Sequence, residues 1–134
     1  MSYMIGKIDV QPFMKARKTF EDYRKHLKSE QEKSGAIQAF EFSYELAWKT
    51  MKRMLSQKGI DARSPRDCFR EAATIGMISN PKAWFQFIEM RNVTVHAYDE
   101  EIVNKVLMIF DDFSTALSEL MEYLENERKK SIGD

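Results

Sequence analysis

Apolar residues recur every three or four positions along most of this chain, the spacing that places them on one face of an α-helix. The first run predicts a helix that begins near the proline at position 12 and covers about residues 12–33, where Gly35 interrupts it. The second run predicts a longer helix over about residues 36–58. Gly59 follows it, at the place where a left-handed C-cap would end the helix.

Later helix starts are marked by capping residues. Ser64-Pro65 and Asn80-Pro81 each combine an N-cap with a first-turn proline, and they predict two short helices, the first ending near Gly76. Asp99 is followed by two glutamates and predicts the start of a last helix, with an apolar seam of about six turns. No segment shows a competing strand pattern. We therefore predict an all-α protein: an antiparallel four-helix up-and-down bundle with one helix broken into short pieces.

The composition indicates one folded domain over residues 1–134, with an ordered core over about 12–127. Apolar residues make up 43% of the 134 residues, and aromatic residues 12%. Cys68 is the only cysteine, which excludes an intrachain disulfide and fits a reducing compartment. Because no apolar stretch approaches the length of a signal core or a membrane span, we expect a soluble cytoplasmic protein with no membrane contact.

The formal net charge is zero, but the charges are unevenly distributed. Residues 49–70 hold seven basic and two acidic residues, whereas residues 99–127 hold nine acidic residues and one basic residue. A basic segment of this kind can form a phosphate-binding face. The alternative is a solvated helix surface, and composition alone favours that alternative.

The segment RNVTVHAY, at residues 91–98, is a poor helix former inside a helical chain. Its Val-Thr-Val run costs about half a kcal/mol per residue relative to alanine in a helix. Positions five apart lie about 140° around a helix axis, so Arg91 and His96 could not converge if the helix ran straight on. Asp99 then offers a new helix start. We predict that the helix ends near residues 91–93 and that the chain turns, so that both side chains point into one cleft.

These residue types suit phosphodiester chemistry. Arginine stays protonated and binds phosphoryl oxygens, and histidine exchanges protons near neutral pH. Asn92 adds an amide and Tyr98 adds a hydroxyl. No neighbouring residues have metal-ligand spacing, so we expect neither a metal nor another cofactor. On spacing alone, an arginine and a histidine near a helix end are more often a capping pair than a catalytic pair.

Cleavage of RNA through its 2′-hydroxyl needs a base and an acid on opposite sides of the phosphate. The chain has only two histidines, and His26 is expected in mid-helix, among basic residues and in solvent. One subunit is therefore short of groups. A two-fold homodimer would bring two copies of Arg91 and His96 into one cleft.

At this point the residues resemble a known family. The segment at 91–98 matches the R-x4-H-x-Y signature of the HEPN superfamily of helical bundles. QAFEFSYELAWKTMK (residues 38–52), SPRDCFREAATIGMI (residues 64–78) and Trp84 are similar to one branch, the nucleotidyltransferase substrate-binding family. The similarity extends over about residues 13–124. The signature is moderately specific by itself and strongly specific together with the two longer segments.

The resemblance implies a homodimeric four-helix bundle encoded beside a minimal nucleotidyltransferase. In related toxins of this superfamily it implies metal-independent cleavage of RNA, with Arg91 and His96 of both subunits as the catalytic residues in a shared cleft. Asn92 would support them, and Tyr98 would be adenylylated by the antitoxin nucleotidyltransferase. The older name of this branch implies a second possibility, a non-catalytic subunit that binds nucleotide or substrate for the nucleotidyltransferase.

Other polar and aromatic residues have structural interpretations. Trp48 and Trp84 could stack on bases, but their helical spacing indicates core positions. Glu41 and Glu45 lie one helical turn apart and could contact the partner enzyme. We interpret them instead as hydrogen-bond partners at the end of the bundle. Cys68 is expected to be buried and inert.

Overall fold

The computed structural model describes residues 2–133, the last two by their backbone alone. The described chain is mostly helical, which confirms the predicted all-α class; the four-helix up-and-down arrangement stays a prediction. None of the helices in this part of the chain combines the length and hydropathy needed to cross a bilayer. The elements are β1 (Met4–Ile5), β2 (Ile8–Asp9), α1 (Gln11–Tyr23), α2 (Glu30–Gln57), α3 (Pro65–Thr74), α4 (Pro81–Val93), α5 (Glu100–Leu107) and α6 (Phe110–Gly133).

The expectation that no strand forms is wrong at the start of the chain. β1 and β2 pair antiparallel as a small hairpin, and Gly6 closes it with a left-handed φ of 59°. The carboxylate of Asp9 accepts backbone hydrogen bonds from Tyr3 at 3.2 Å and from Gln11 at 3.0 Å, which ties the hairpin to the start of α1. Each strand has two residues, too few for an alternating pattern to be visible in the sequence.

The boundary between the first two helices also differs from the prediction. α1 ends at Tyr23, and Gly35 lies inside α2 instead of between the helices. The cause is a capping box: the Ser29 hydroxyl accepts a hydrogen bond from the Glu32 backbone at 3.0 Å, and the Glu32 carboxylate accepts one from the Ser29 backbone at 2.9 Å. That backbone hydrogen bond from Ser29 lowers the pKa of the Glu32 carboxyl. These two reciprocal hydrogen bonds thus start α2 earlier than the glycine suggests.

The other predicted helix signals are confirmed. Ser64, Asn80 and Asp99 are N-caps whose side chains accept hydrogen bonds from backbone N–H groups two or three residues later. Gly59 and Gly76 follow their helices with φ of 79° and 80°. The last predicted helix, however, is interrupted between α5 and α6.

The core is organised around Phe113 of α6. Its ring lies 5.1 Å from the ring of Phe20 on α1 and 4.8 Å from that of Phe40 on α2, measured between centroids. On α4, the rings of Trp84 and Phe87 lie 6.1 Å and 5.1 Å away. All four contacts are edge-to-face, the favoured geometry for aromatic pairs. One side chain therefore contacts three other helices.

Helix α3 packs on this core through Phe69 and Cys68. The Phe69 ring lies 5.0 Å from Trp84, which confirms the core interpretation of that tryptophan. Cys68 is buried, as expected, and its thiol donates to the backbone carbonyl of Trp48 at 3.5 Å. Burial raises the pKa of Cys68 to about 12, which keeps the thiol protonated and unreactive. Trp48 itself is only half-buried, so its core interpretation holds in part.

We predict that Ser29→Ala lowers the free energy of unfolding by about 1 kcal/mol, because α2 loses its N-cap. Urea unfolding followed by far-UV circular dichroism measures this. Ser34→Ala is the matched control, since Ser34 is exposed inside α2 and the serine-to-alanine change is the same. If both variants unfolded at the wild-type urea concentration, the capping box would contribute nothing to stability.

Candidate functional site

The chain leaves α4 through a single turn of 3-10 helix, Thr94–His96. The predicted end of the helix after Arg91 is confirmed, since α4 stops at Val93. Beyond the turn, the backbone N–H of Asp99 donates to the His96 carbonyl at 3.0 Å, and α5 begins at the next residue. The tighter turn changes the direction of the side chains at the poor helix-forming residues. Residues 91–98 therefore lie at a bend between two helices.

Arg91 is held by two carboxylates of α2. Its Nη1 lies 3.3 Å from Oε2 of Glu41, and its Nε lies 3.6 Å from Oε1 of Glu45. The two glutamates are one helical turn apart, so they meet the guanidinium from adjacent positions. Glu45 also accepts a hydrogen bond from the indole N–H of Trp48 at 3.1 Å. The interpretation of both glutamates as hydrogen-bond or ion-pair partners within the chain is confirmed.

Thr94 connects the arginine to α2, although the sequence interpretation assigned it no contact. Its buried hydroxyl accepts from Nη1 of Arg91 at 3.3 Å. The same oxygen lies 3.0 Å from the Glu41 carboxylate and 2.7 Å from the Arg91 carbonyl, two acceptors that its single proton can serve. A threonine hydroxyl that bonds to the backbone carbonyl three residues earlier is a known local pattern. It was the only signal in the sequence that could have identified the contacts of Thr94.

The guanidinium keeps one nitrogen for a ligand. The side chain of Arg91 is 31% exposed. Its Nε has no hydrogen-bond partner, because the Glu45 oxygen at 3.6 Å is too far for one, but this atom is buried and a ligand cannot reach it. Nη2 makes no hydrogen bond to any residue in the part of the chain that the structure describes. Two carboxylates thus orient the group, and a phosphoryl oxygen could still bind to its remaining nitrogen.

The other residues predicted for the site are exposed. Tyr98 is 86% exposed and its ring lies 6.0 Å from the ring of His96, nearly perpendicular to it. Asn92 and His96 are also exposed. Within the described residues no hydrogen bond joins Arg91 to His96, so the monomer places the cation and the imidazole on one bend without direct contact. Neither group is sealed inside the protein.

The second histidine lies elsewhere. His26 was expected in mid-helix; it lies instead in the turn between α1 and α2, because α1 ends at Tyr23. It is exposed as predicted, and it borders an open cavity of about 440 Å³ together with Tyr23 and Ser29. Across residues 2–133, no three or more histidine, cysteine or acidic side chains are grouped closely enough to hold a metal ion.

An open cleft of about 330 Å³ lies beside Tyr98. One wall comes from the start of α2 and the turn before it, with the cations of Lys28 and Lys33. The other wall comes from Tyr98 and the start of α5, including Val103. The cleft therefore combines an accessible phenol with two positive charges, and acidic side chains also border it.

Comparison with known proteins identifies a matching family. The family model described as "Nucleotidyltransferase substrate binding protein like" matches residues 10–127. A Haemophilus influenzae protein named "Probable ribonuclease HepT" is 41% identical over 101 residues, which cover 72% of this chain and 69% of that protein.

Solved structures show the same fold. A Haemophilus influenzae structure described as revealing "the fold of a substrate binding domain of a nucleotidyltransferase" superposes with a TM-score of 0.79 at 33% identity, over 87% of this chain and 98% of that chain. A Thermus thermophilus protein superposes with a TM-score of 0.78 at 24% identity, over 84% of this chain and 98% of that chain. The second similarity concerns the fold alone.

We predict that Thr94→Val lowers the free energy of unfolding by about 1–2 kcal/mol, because it removes the hydroxyl that Arg91 and Glu41 share while nearly preserving the shape. Urea unfolding measures the change. Thr115→Val is the control, since the Thr115 hydroxyl is exposed and bonds only to the Asp111 carbonyl, at 3.1 Å. Equal stability of Thr94→Val and the wild type would show that these buried hydrogen bonds do not hold the arginine.

Proposed function

This chain belongs to the nucleotidyltransferase substrate-binding protein family, and we propose from that premise that it is a HEPN-type toxin, a ribonuclease that needs no metal ion. It acts as the partner subunit of a minimal nucleotidyltransferase encoded nearby, in the cytoplasm. The observation that carries the proposal is the intact R-x4-H-x-Y segment on an exposed bend, where the oriented and partly exposed Arg91 makes no hydrogen bond through Nη2 to any described residue. The relative named a probable ribonuclease supports the same reaction.

The proposed active unit is a homodimer with a composite site. Each chain brings one histidine, His96, to the bend, while cleavage needs both a base and an acid. Val95 is 68% exposed beside His96, and Tyr98 is more exposed still, so the surface around the histidine offers apolar area to a second copy. In each subunit the long helices form the predicted four-helix up-and-down bundle with one broken helix, centred on Phe113.

In the proposed reaction, His96 of one subunit takes the proton from the ribose 2′-hydroxyl as its oxygen attacks the phosphorus. The bond from phosphorus to the 5′-oxygen breaks, and His96 of the partner subunit, in its protonated form, donates a proton to that leaving oxygen. The products are a 2′,3′-cyclic phosphate and a 5′-hydroxyl. Arg91 stabilises the charge that builds on the phosphoryl oxygens in the transition state.

Glu41, Glu45 and Thr94 are positioning residues in this proposal. They contact Arg91, and the arginine contacts the phosphate. Because a carboxylate pair also lowers the local positive charge, the incoming phosphate must compete with Glu41 and Glu45 for the guanidinium. Asn92, exposed next to the arginine, supports the binding of the strand.

We predict that the purified protein cleaves single-stranded RNA in EDTA as fast as in magnesium, and that His96→Ala and Arg91→Ala each slow cleavage by at least about 100-fold. Gel electrophoresis of a labelled RNA measures the rates. His26→Ala is the control, because it removes the other exposed histidine.

Mixing the wild type with an excess of His96→Ala tests the composite site, since subunit exchange would leave each mixed cleft with a single histidine, short of either the base or the acid. Cleavage per wild-type subunit is expected to fall as mixed dimers form. Cleavage that persists in both single variants, or that requires magnesium, would reject the assignment.

A second candidate function is a non-catalytic subunit that binds a nucleotide or a substrate for the nucleotidyltransferase. The specific observation that favours it is the cleft of about 330 Å³ beside Tyr98, with Lys28 and Lys33 on its wall. Lysine ammonium groups bind phosphate as point charges. The phenol of Tyr98 is open to an adenylyl group from the partner enzyme.

We predict that co-expression with the cognate nucleotidyltransferase adds AMP to Tyr98, because this phenol is 86% exposed. Intact-protein and peptide mass spectrometry measure the addition. Tyr98→Phe should remain unmodified, whereas Tyr23→Phe, which removes another exposed phenol, should be modified like the wild type. Modification with no RNA cleavage by the unmodified protein would favour the binding subunit over the ribonuclease.

A further inference from the structure

Two arginines of α3 lie over one aromatic ring of α4. The guanidinium carbons of Arg66 and Arg70 are 5.0 Å and 5.4 Å from the ring centroid of Phe85. The two arginines are one helical turn apart, so both reach the same side of α3. We call Arg66, Arg70 and Phe85 the arginine–phenylalanine cluster. Because the ring orients both guanidiniums, their N–H edges are presented with less loss of side-chain freedom on binding.

The cluster keeps its positive charge. No acidic side chain among the described residues lies within ion-pair distance of Arg66. Arg70 pairs with Asp67 at 3.5 Å, but both side chains are more than half exposed, and such surface pairs are weak. Both arginines are exposed, while Phe85 is half-buried beneath them. The basic segment noted in the sequence thus includes a preorganised cationic surface.

The cluster and the bend are joined through α4. Phe85 precedes Arg91 by six residues on α4, which separates their positions by about 9 Å along the helix axis and about 120° around it. The buried hydroxyl of Tyr44 provides a second link: burial raises its pKa, and the charges of Arg91 and Arg66 both act against that rise. The charges of both cations therefore act on one side chain of α2.

A third cation follows on α2. The ammonium group of Lys52 lies 6.0 Å from the ring centroid of Trp48, and the indole of Trp48 is bonded to Glu45, the partner of Arg91. Basic groups with aromatic contacts thus occur on both α2 and α3. This combination of cations and aromatic rings is typical of surfaces that bind single-stranded nucleic acid.

We propose that the arginine–phenylalanine cluster binds the RNA strand outside the cleavage site, with Arg66 and Arg70 contacting a phosphate that neighbours the scissile one. The proposal rests on the proposed ribonuclease function and deepens it. Because the positions of Phe85 and Arg91 lie about 9 Å apart along α4 and about 120° apart around it, the strand contacts the cluster and Arg91 through separate phosphates. A strand that occupies both must supply a second phosphate. The substrate is therefore an oligonucleotide, and a dinucleotide binds at Arg91 alone.

Binding of a fluorescent single-stranded oligouridylate to the non-cleaving His96→Ala dimer, measured by anisotropy, tests the proposal. Adding Arg66→Ala and Arg70→Ala should weaken binding at least about ten-fold at low salt. The slope of log affinity against log salt should also become shallower by about 0.7 for each phosphate that the variant no longer neutralises. Lys15→Ala with Lys18→Ala is the matched control, since it removes two exposed cations from α1, and it should leave both quantities close to the parent values.

Phe85→Leu distinguishes the effect of guanidinium orientation on RNA affinity from the effect of guanidinium charge. It keeps both arginines and removes the ring, so affinity should fall while the salt slope stays unchanged. Thermal unfolding of each variant verifies that the protein is folded. Arg66→Lys with Arg70→Lys gives a second measurement without touching the half-buried ring, and it should recover the slope but only part of the affinity.

Three results would overturn the proposal. The arginine variants could match the lysine control in RNA affinity. A dinucleotide could lose as much affinity as the oligouridylate. The variants could lose dimerisation or nucleotidyltransferase binding, measured by light scattering, at unchanged RNA affinity, which would make the cluster a protein interface. Binding is measured on a variant that does not cleave. If the wild type failed to cut RNA, the ribonuclease proposal would be refuted, and the binding data would still test the cluster.

Discussion

The edge-to-face packing of Phe113 is the contact on which the rest of the protein depends. From α6 this ring meets Phe20 of α1, Phe40 of α2, and Trp84 and Phe87 of α4. These contacts hold α2 and α4 side by side in a fixed register. Because Phe40 directly precedes Glu41, and Phe87 lies one turn before Arg91, that register brings the carboxylate to the guanidinium. The polar site is a consequence of aromatic packing beneath it.

The bend combines a constrained cation with unconstrained proton carriers. Arg91 is tied to Glu41, Glu45 and Thr94, whereas His96 and Tyr98 face solvent. This division suits a reaction in which the phosphate must be held in one place while protons move. It also explains why the monomer is incomplete in our proposal: no second group in the monomer is oriented to act together with the exposed imidazole. A second subunit would supply both the partner and the exclusion of water.

Recognition of the strand and its cleavage would use different physical interactions. The arginine–phenylalanine cluster offers charge at a preorganised surface, so its binding to a strand would be sensitive to salt and indifferent to base identity. The bend offers a single oriented guanidinium and an imidazole, which would act on one phosphodiester. An adenylyl group on Tyr98 would add negative charge next to His96 and oppose the approach of another phosphate. One bend could thus serve both the reaction and its silencing.

Periodicity and capping residues were sufficient for much of the fold, because an amphipathic stripe and a satisfied N-cap are local properties. They located α4, the C-cap glycines and the end of the helix after Arg91, and the signature residues 91–98 marked the candidate site. They failed at Ser29, where a capping box outweighed Gly35, and at the hairpin, whose strands are too short to show a period. Periodicity and capping residues also could not identify the partners of Arg91. Glu41 and Thr94 are 53 residues apart, and only the packing of α2 against α4 brings the carboxylate to the hydroxyl.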